Sequence, residues 1–340
     1  MSMQHRITEP GDLLSPKGSL LQQGYATQAV LTYNRHAIHA PPWRIKEWDF
    51  YQVSNDDYCL QLTIGHVSYA GEVSVKLFEF RSGKMHAFSK MLVMPFDRLK
   101  MPRSAEQGDL IYRSKGLLME FRVFEGGRRL VCKGSDGKSP PVDIDIALAQ
   151  PDPVSVVMAT PFDQNPAFFY YNQKINCMPA TGAAKIGDAV YRFEPDTAFG
   201  LLDWGRGVWP FRHEWYWGNG SGWVNGKRFG FNIGYGFGNT SAATENMLFY
   251  DGTAHKISQV IFDLPGGGYM SRKRFTSDDG RFEMAFTPIY DRYTETKLLF
   301  VDNSCHQIFG KFNGKAVLDD GQVIEVKDLV AFTEHAVNRW

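Results

Sequence analysis

The sequence predicts an all-β protein, because apolar and polar residues alternate with a period of two along much of the chain. Residues 72–80 and 142–148 alternate in this way, as half-buried strands do. A Glu-Gly-Gly-Arg turn at 125–128 separates two further runs and predicts a tight hairpin, since glycine adopts the positive φ of a primed turn. No long segment keeps helical spacing, so we expect only short helices, near residues 87–99 and 334–337.

Turn residues divide the rest of the chain into strand-length pieces. Asp-Gly pairs occur at 136–137, 251–252, 279–280 and 320–321, and this pair favours turns because both residues tolerate left-handed backbone. We expect further strands at residues 58–64, 118–124, 129–132, 167–175, 188–194, 229–235, 256–263, 281–287, 297–301 and 322–332.

The chain length of 340 residues predicts two domains. A proline-rich break at 150–153 marks the midpoint, and we place the boundary so that the domains are 1–157 and 158–340. Leu-Thr-Ile-Gly at 62–65 resembles Phe-Asn-Ile-Gly at 231–234, which is a weak internal similarity that supports two like halves. Each half has the size of one lipocalin barrel, in which about eight antiparallel strands enclose room for a small ligand. The predicted architecture is therefore two such barrels packed side by side.

The composition excludes several classes of function. Lys and Arg (37) balance Asp and Glu (37), so electrostatic capture of nucleic acid is not the main activity. No run approaches the roughly 18 apolar residues of a membrane span, and we expect no integral membrane segment. The N-terminus lacks the apolar core of a secretory signal, and the four cysteines lie far apart. We therefore expect a soluble protein of the cytoplasm.

Familiar cofactor and metal motifs do not occur in the sequence. There is no Walker loop, no H-E-x-x-H and no G-x-S-x-G elbow. The glycine-rich run at 230–238 is not a dinucleotide signature, since no helix follows it. We expect no cofactor and no metal.

The densest chemistry lies in a tryptophan-rich segment at residues 202–223. Five of the eight tryptophans fall there, beside two acids, two arginines and a histidine. In an extended chain His213, Trp215 and Trp217 share one face, while Glu214 points to the other. Two interpretations stay open at this point. The segment either lines a ligand cavity or forms an aromatic core whose charges pair internally.

Two other segments add candidates. Around Trp48, alternation places Arg44 and Lys46 on its face and Glu47 and Asp49 on the other, and such charges are either paired or a solvated edge. Asn232 and Tyr235 lie in the glycine-rich run, where glycines on one strand face admit a ligand or an aromatic ring. Glu245 follows shortly after and supplies a carboxylate.

Several of these motifs resemble the bacterial domain-of-unknown-function family 2804. The similar segments are residues 43–51, Asp-Trp-Gly-Arg-Gly-Val-Trp-Pro at 203–210, 215–217, 234–238 and 332–340, so the resemblance covers nearly the whole chain. The family supplies no activity. More distantly, the layout resembles the two-barrel lipocalin-like superfamily of carotenoid hydratases, tocopherol-cyclase-like proteins and fungal pericyclases. That resemblance implies a cavity for an apolar, often unsaturated molecule.

The functional prediction is an aromatic-lined cavity that binds an apolar or amphipathic small molecule. If the protein is an enzyme, the most coherent chemistry is cofactor-free acid catalysis on a double bond, with Asp203 or Glu214 as a buried acid of raised pKa. The expected ligand-binding residues are Trp48, Trp204, Arg206, Trp209, Arg212, His213, Trp215, Trp217, Asn232, Tyr235 and Glu245. We expect Asp203, Arg206, Trp209, Arg212 and Glu214 to share one wall with Trp215 and Trp217.

Two alternatives accompany this prediction. A non-catalytic lipid or metabolite carrier would use the same aromatic wall without an acid. A carbohydrate-active protein would instead stack sugars on the aromatics and flank them with two carboxylates in an open groove. The polarity and openness of the site discriminate between these classes.

Overall fold

The computed structural model describes residues 4–263, 266–298 and 301–340. Their backbone forms 24 strands and two three-residue 3-10 helices, so the all-β prediction is confirmed. The N-terminal elements are β1 (Gly11–Asp12), β2 (Gly24–Ala26), β3 (Leu31–Thr32) and the 3-10 helices Arg35–Ala37 and Pro42–Arg44. These lead into the first large sheet.

The first large sheet contains β2 and the twelve strands β4 to β15. The twelve strands are β4 (Lys46–Ser54), β5 (Tyr58–His66), β6 (Ala70–Glu79), β7 (Met85–Val93), β8 (Leu110–Ser114), β9 (Leu117–Phe124), β10 (Gly127–Gly134), β11 (Val142–Ala149), β12 (Val156–Pro161), β13 (Phe169–Ile186), β14 (Ala189–Phe193) and β15 (Phe199–Val208). Its main path runs β7-β6-β5-β4-β15-β13-β11-β10-β9-β8, and every pair is antiparallel. The first long strand, β4, therefore pairs with the last strand, β15.

A two-stranded parallel sheet pairs β1 with β3. The second large sheet contains the last nine strands of the chain. They are β16 (Arg212–Val224), β17 (Lys227–Tyr235), β18 (Met247–Tyr250), β19 (Thr253–Lys256), β20 (Val260–Asp263), β21 (Lys273–Ser277), β22 (Phe282–Leu298), β23 (Val301–Val317) and β24 (Val323–Arg339). The order β19-β18-β17-β16-β24-β23-β22-β21-β20 again pairs the first strand with the last. Both sheets thus share one wiring scheme, and the similar segments at 62–65 and 231–234 occupy the second strand of each scheme.

The division between the sheets falls later in the chain than the expected boundary between residues 157 and 158. That boundary lies inside β12, whereas the sheet changes between Val208 and Arg212. The reason is hydrogen bonding: β13 pairs with β11, and β15 pairs with β4. Strands β12 to β15 therefore belong to the first sheet.

Neither expected short helix forms: residues 87–93 and 334–337 are strand, and residues 94–99 form a bend and turns. Met85–Val93 is an edge strand of the first sheet, and Val323–Arg339 runs through residues 334–337. In each case hydrogen bonds to a neighbouring strand override a local pattern that was ambiguous in the sequence. Of the expected strand at 297–301, residues 297–298 end β22 and residue 301 begins β23, and residues 299–300 lie outside the described residues.

Each sheet curls around its own apolar core, and a third cluster joins them. Phe78 and Phe80 from the first sheet each lie 5.0 Å, between ring centroids, from Phe309 in the second. Trp217 and Phe332 extend this cluster. The two barrels therefore pack against each other, with β13 against β16 and β17, β15 against β16, and the end of β6 against β23. No helix among the described residues has the length and apolar character that a membrane span requires.

Candidate functional site

The Asp-Trp-Gly-Arg-Gly-Val-Trp motif at 203–209 forms the last six residues of β15 and the residue after it. Successive side chains of the strand point to opposite faces of the sheet. Trp204 and Arg206 point into the first barrel, where the guanidinium lies 4.1 Å above the indole. Asp203 and Trp209 point toward the second barrel. Gly205 lies between them, and a Cβ there would come within 2.5 Å of the Trp48 ring. The glycine thus lets the Trp48 indole lie flat across β15.

Asp203 is the candidate acid that the structure buries at this interface. It is 9% exposed, and its Oδ2 accepts a 3.1 Å hydrogen bond from the indole N–H of Trp48. Its Oδ1 is buried and makes no hydrogen bond of regular geometry with a described residue, although the Tyr170 hydroxyl interacts with the carboxyl group. Burial raises the pKa of Asp203 above its ordinary value, although the nearby Lys174 ammonium opposes the rise. A carboxyl group of this kind can hold a proton closer to neutrality than an exposed aspartate can.

Lys174 lies opposite Asp203 on the neighbouring strand β13. Its ammonium pairs with Glu245 Oε2 and lies 4.9 Å from the Trp217 ring centroid. Burial lowers the pKa of Lys174, but Glu245 and Asp203 outweigh that effect and hold it above its ordinary value. The lysine is therefore a fixed cation, bonded by one acid and adjacent to another.

A chain of amides continues from this pair into the second barrel. Asn232 donates to Glu245 Oε2 at 3.0 Å, and its own oxygen accepts a 2.7 Å bond from the Trp217 indole and a 3.2 Å bond from Asn219. Asn219 in turn accepts from Asn176 of β13 at 3.0 Å. Asn232 and Glu245, both candidates from the sequence, are thus brought to the interface with Trp217.

Glu334 is a second buried acid at the interface, and sequence reasoning missed it. It is 8% exposed, accepts a 2.7 Å bond from the Trp215 indole and a 3.0 Å bond from Gln307. Burial raises the pKa of Glu334, while the Trp215 hydrogen bond opposes that rise. Pairing of β24 with β16 places Glu334 beside the tryptophans. The sequence signal for this position was its spacing of two residues from Phe332, which puts both side chains on one strand face.

Five aromatic rings form a wall next to Asp203. Trp209 is fully buried, and the centroids of Trp48, Tyr170 and Phe237 lie 5.1, 5.7 and 5.4 Å from its own. The Trp215 centroid lies 5.4 Å from that of Phe237. We call these five residues the aromatic wall. Its members come from both barrels, so the wall depends on their packing.

His213 borders the aromatic wall as a neutral imidazole. Its Nδ1 donates to the Pro210 carbonyl at 3.0 Å, and its Nε2 accepts from the Trp340 indole. The ring stacks between Trp215 and Trp340, at centroid distances of 5.8 and 5.7 Å. Burial lowers the pKa of His213 to about 3, because an imidazolium there would lose its solvation.

Not all expected site residues join this wall. Trp204 and Arg206 lie inside the first barrel, where Arg206 bonds Asp49 at 2.8 Å. Arg212 and Glu214 are exposed, because β16 alternates and its first residues extend past the edge of the first barrel. The expectation of one shared wall is therefore wrong for Arg206, Arg212 and Glu214.

Tyr235 lies elsewhere too, in an aromatic row across the second sheet. Its ring stacks on Tyr216 at 4.6 Å, and Tyr216 stacks on His335 at 4.2 Å. His335 Nδ1 bonds the Tyr269 hydroxyl at 2.8 Å. The stacked faces of Tyr235, Tyr216 and His335 therefore contact each other rather than the aromatic wall.

The open volumes recorded in the structure lie away from the aromatic wall. One of about 20 Å³, enough for a single water, lies between the barrels beside Asn176 and Cys177. Two shallow grooves of about 270 and 360 Å³ lie on β21–β23 and beside β7 and β8. None of these three is lined by Asp203 or by the wall. The side chains of the wall are closed on one another, so a ligand must displace some of them.

Comparison with known proteins defines the class of fold. The chain is similar to the crystal structure of CghA, with 12% identity, 97% of each chain covered and a TM-score of 0.54. A structure of CghA with Sch210972 gives 12% identity, 97% coverage of each chain and a TM-score of 0.53. Kievitone hydratase from Nectria haematococca gives 8% identity, 97% and 98% coverage and a TM-score of 0.48. The two-barrel, lipocalin-like prediction is confirmed.

The sequence also identifies the family. The chain belongs to the family described as "Domain of unknown function (DUF2804)", whose model matches residues 4–340, and this confirms the resemblance found in the motifs. No curated protein gives a significant match.

Proposed function

We propose that the protein binds an apolar or amphipathic small molecule between its two barrels, with Asp203 as a general acid. The observation that supports this most strongly is the state of the Asp203 carboxyl. It is buried, one oxygen is oriented by the Trp48 N–H, and the other makes no hydrogen bond of regular geometry with a described residue. Perturbed acids of this kind cluster at functional sites, because burial tunes them for proton transfer.

The proposed step is protonation of a carbon–carbon double bond. The O–H bond of neutral Asp203 breaks, its proton forms a C–H bond with one alkene carbon, and the other carbon becomes cationic. The Asp203 carboxylate then takes a proton from a neighbouring carbon, which shifts the double bond, or from a water molecule that adds to the cation. Either route restores the neutral acid without a redox partner.

The aromatic wall would stabilise the cationic intermediate. Aromatic faces attract positive charge; Trp48 bonds the acid, and Trp209 packs against Trp48. The nearby Lys174 ammonium would not strongly repel such a cation, because its charge is paired with Glu245. A flat, unsaturated ligand that displaced part of the wall beside Trp48 would thus meet the proton donor and the stabilising rings together.

A carrier without catalysis is the second candidate. The observation that favours it is the pairing of Lys174, Glu245 and Asn232 among themselves, which leaves the wall to bind a ligand through apolar contact alone. The carbohydrate alternative fits less well. It requires carboxylates in an open groove, whereas Asp203 and Glu334 are 9% and 8% exposed.

Native mass spectrometry of freshly purified protein tests the proposal. We expect a copurified apolar molecule that is lost when Trp209→Ala removes part of the wall. Arg129→Ala, at an exposed ion pair far from the wall, is the matched control and should retain the molecule. An unchanged complement of bound molecules in Trp209→Ala, with the fold intact by circular dichroism, would contradict binding at this site.

A further inference from the structure

Lys46 is a buried amine that neither the fold nor the proposed acid explains. It begins β4, is 1% exposed, and forms no ion pair or hydrogen bond with any described residue. The other fully buried lysines differ. Lys174 pairs with Glu245, and Lys273 donates to the carbonyls of Tyr269 and Ser271. A buried ammonium without an oxygen partner is costly, so the neutral amine is favoured at this position.

The surroundings of Lys46 are aromatic and cationic. Its Nζ lies 4.9 Å from the Trp209 ring centroid, on the same strand face as Trp48. The charged and titratable groups that act on it are Arg44, on the preceding 3-10 helix, and His213 of β16, which is neutral. Burial and the Arg44 charge lower the pKa of Lys46 to about 7.

We propose that Lys46 is a nucleophilic amine that forms a Schiff base with an aldehyde or ketone held against Trp209. A lysine in an apolar pocket beside another cation is the arrangement that activates an amine for this chemistry. Trp48 and Trp209, which pack edge to face, present apolar aromatic surface that would select aromatic or unsaturated carbonyl compounds. The inference uses the same aromatic wall as the proposed function and does not depend on Asp203 as an acid.

The reaction balances without an oxidant or a reductant. The Lys46 nitrogen attacks the carbonyl carbon, so a C–N bond forms as the π bond of the carbonyl breaks. A proton then passes from the nitrogen to the oxygen and gives a carbinolamine. The nitrogen then loses its remaining proton as the C–O bond breaks, and water leaves. The product is a neutral imine, whose formation is reversible.

Lys256 is a matched internal control. Burial lowers the pKa of Lys256 to about 7 as well, so its amine is equally acidic. Its Nζ, however, donates to Thr244 Oγ1 at 2.9 Å and to the carbonyls of Asn246 and Ile257 at 2.8 Å. A nitrogen held by three acceptors is not free to attack a carbonyl. Reactivity at Lys46 and not at Lys256 would therefore reflect geometry rather than acidity alone.

The test is reductive labelling of the folded protein with 2-naphthaldehyde and sodium cyanoborohydride at pH 7, mapped by peptide mass spectrometry. A pKa near 7 gives Lys46 about a thousandfold more free amine than an ordinary lysine. Allowing for its burial, we expect labelling at least about tenfold faster than at exposed Lys17 and Lys138. Lys256 should remain unlabelled.

Three outcomes decide the proposal. Lys46 labelled no faster than the exposed lysines would overturn it, and so would equal labelling of Lys256. Selectivity that survives in guanidinium chloride would also overturn it, because the folded pocket would not be its source. Lys46→Arg should remove the major adduct, whereas Asp203→Asn should leave it. If Trp209→Ala keeps its copurified molecule while Lys46 of the wild type is labelled as expected, the proposed function fails and this inference stands. Loss of the molecule with no selective labelling of Lys46 is the reverse case.

Discussion

The indole N–H of Trp48 donates to Asp203 Oδ2 at 3.1 Å, from β4 across to β15. The two strands are antiparallel neighbours, and Gly205 lies directly opposite Trp48 in the register. Because Gly205 has no side chain, the large ring can fold over its own neighbour strand and reach the carboxyl group. This contact fixes the orientation of the acid, and it leaves Oδ1 directed away from the indole.

Trp48→Phe should raise the pKa of Asp203 further. The substitution keeps an aromatic ring but removes the donor that favours the ionised carboxylate. We expect a loss of about 1 kcal/mol of stability for the hydrogen bond, in addition to any loss of packing. Infrared titration of the carboxylic C=O band, assigned with Asp203→Asn, measures the pKa. Trp209→Phe is the control, since the Trp209 N–H has no partner among the described residues. An unchanged pKa in Trp48→Phe would refute the role of this bond.

Gly205→Ala should destabilise the protein and displace Trp48. The new Cβ would lie 2.5 Å from Trp48 Cε2, which is closer than real contacts allow. We expect a loss of about 1–3 kcal/mol, typical of overpacking, with a change in tryptophan fluorescence. Gly11→Ala is the control, because its Cβ would meet nothing within 4 Å. Equal urea denaturation midpoints for the two variants would show that the close approach is unimportant.

Glu245→Gln should destabilise more than a surface substitution does. The variant leaves Lys174 buried with its principal counter-charge removed, and breaking a buried pair costs about 3–5 kcal/mol. Adding Lys174→Met should recover much of that loss, because the buried charge is then gone. Chemical denaturation of the two single variants and the double variant gives the coupling free energy. Additive effects would mean that the pair is not coupled.

The contribution of His213 to the stability of the fold should fall as the pH drops below about 6.5. An unfolded histidine protonates near pH 6.5, whereas burial lowers the pKa of His213 to about 3. The unfolded state therefore binds the proton first, and stability is lost between pH 6.5 and 3, by at most about 1.4 kcal/mol per pH unit. Protonation would also remove the acceptor of the Trp340 N–H. Denaturation at several pH values should show this slope in the wild type and a smaller slope in His213→Gln.

Much of the site followed from strand alternation. The sequence placed His213, Trp215 and Trp217 on one face, and all three meet at the interface. Alternation also puts Asp203 and Arg206 on opposite faces of β15, although we expected both on one wall. Arg206 instead completes a buried network with Asp49 and Glu47 inside the first barrel.

Other features depended on contacts that a single sequence does not reveal. Glu334 joins Trp215 only through the register of β24 against β16. Alternation places Lys46 and Glu47 on opposite faces correctly, but it leaves open whether these charges are paired or form a solvated edge. Both are 1% exposed, because β4 lies in the middle of its sheet between β5 and β15. Sheet position, which local pattern does not encode, decides burial.

The most direct test of the account is deuterium incorporation into the bound molecule. The copurified compound is incubated in D₂O with the wild type or with Asp203→Asn, and its carbon-bound deuterium is counted by mass spectrometry. If Asp203 protonates a double bond, the wild type adds solvent deuterium to carbon and Asp203→Asn does so at least about a hundredfold more slowly. Equal incorporation by the two proteins, each folded and loaded with the compound, would contradict the assignment of Asp203 as the acid.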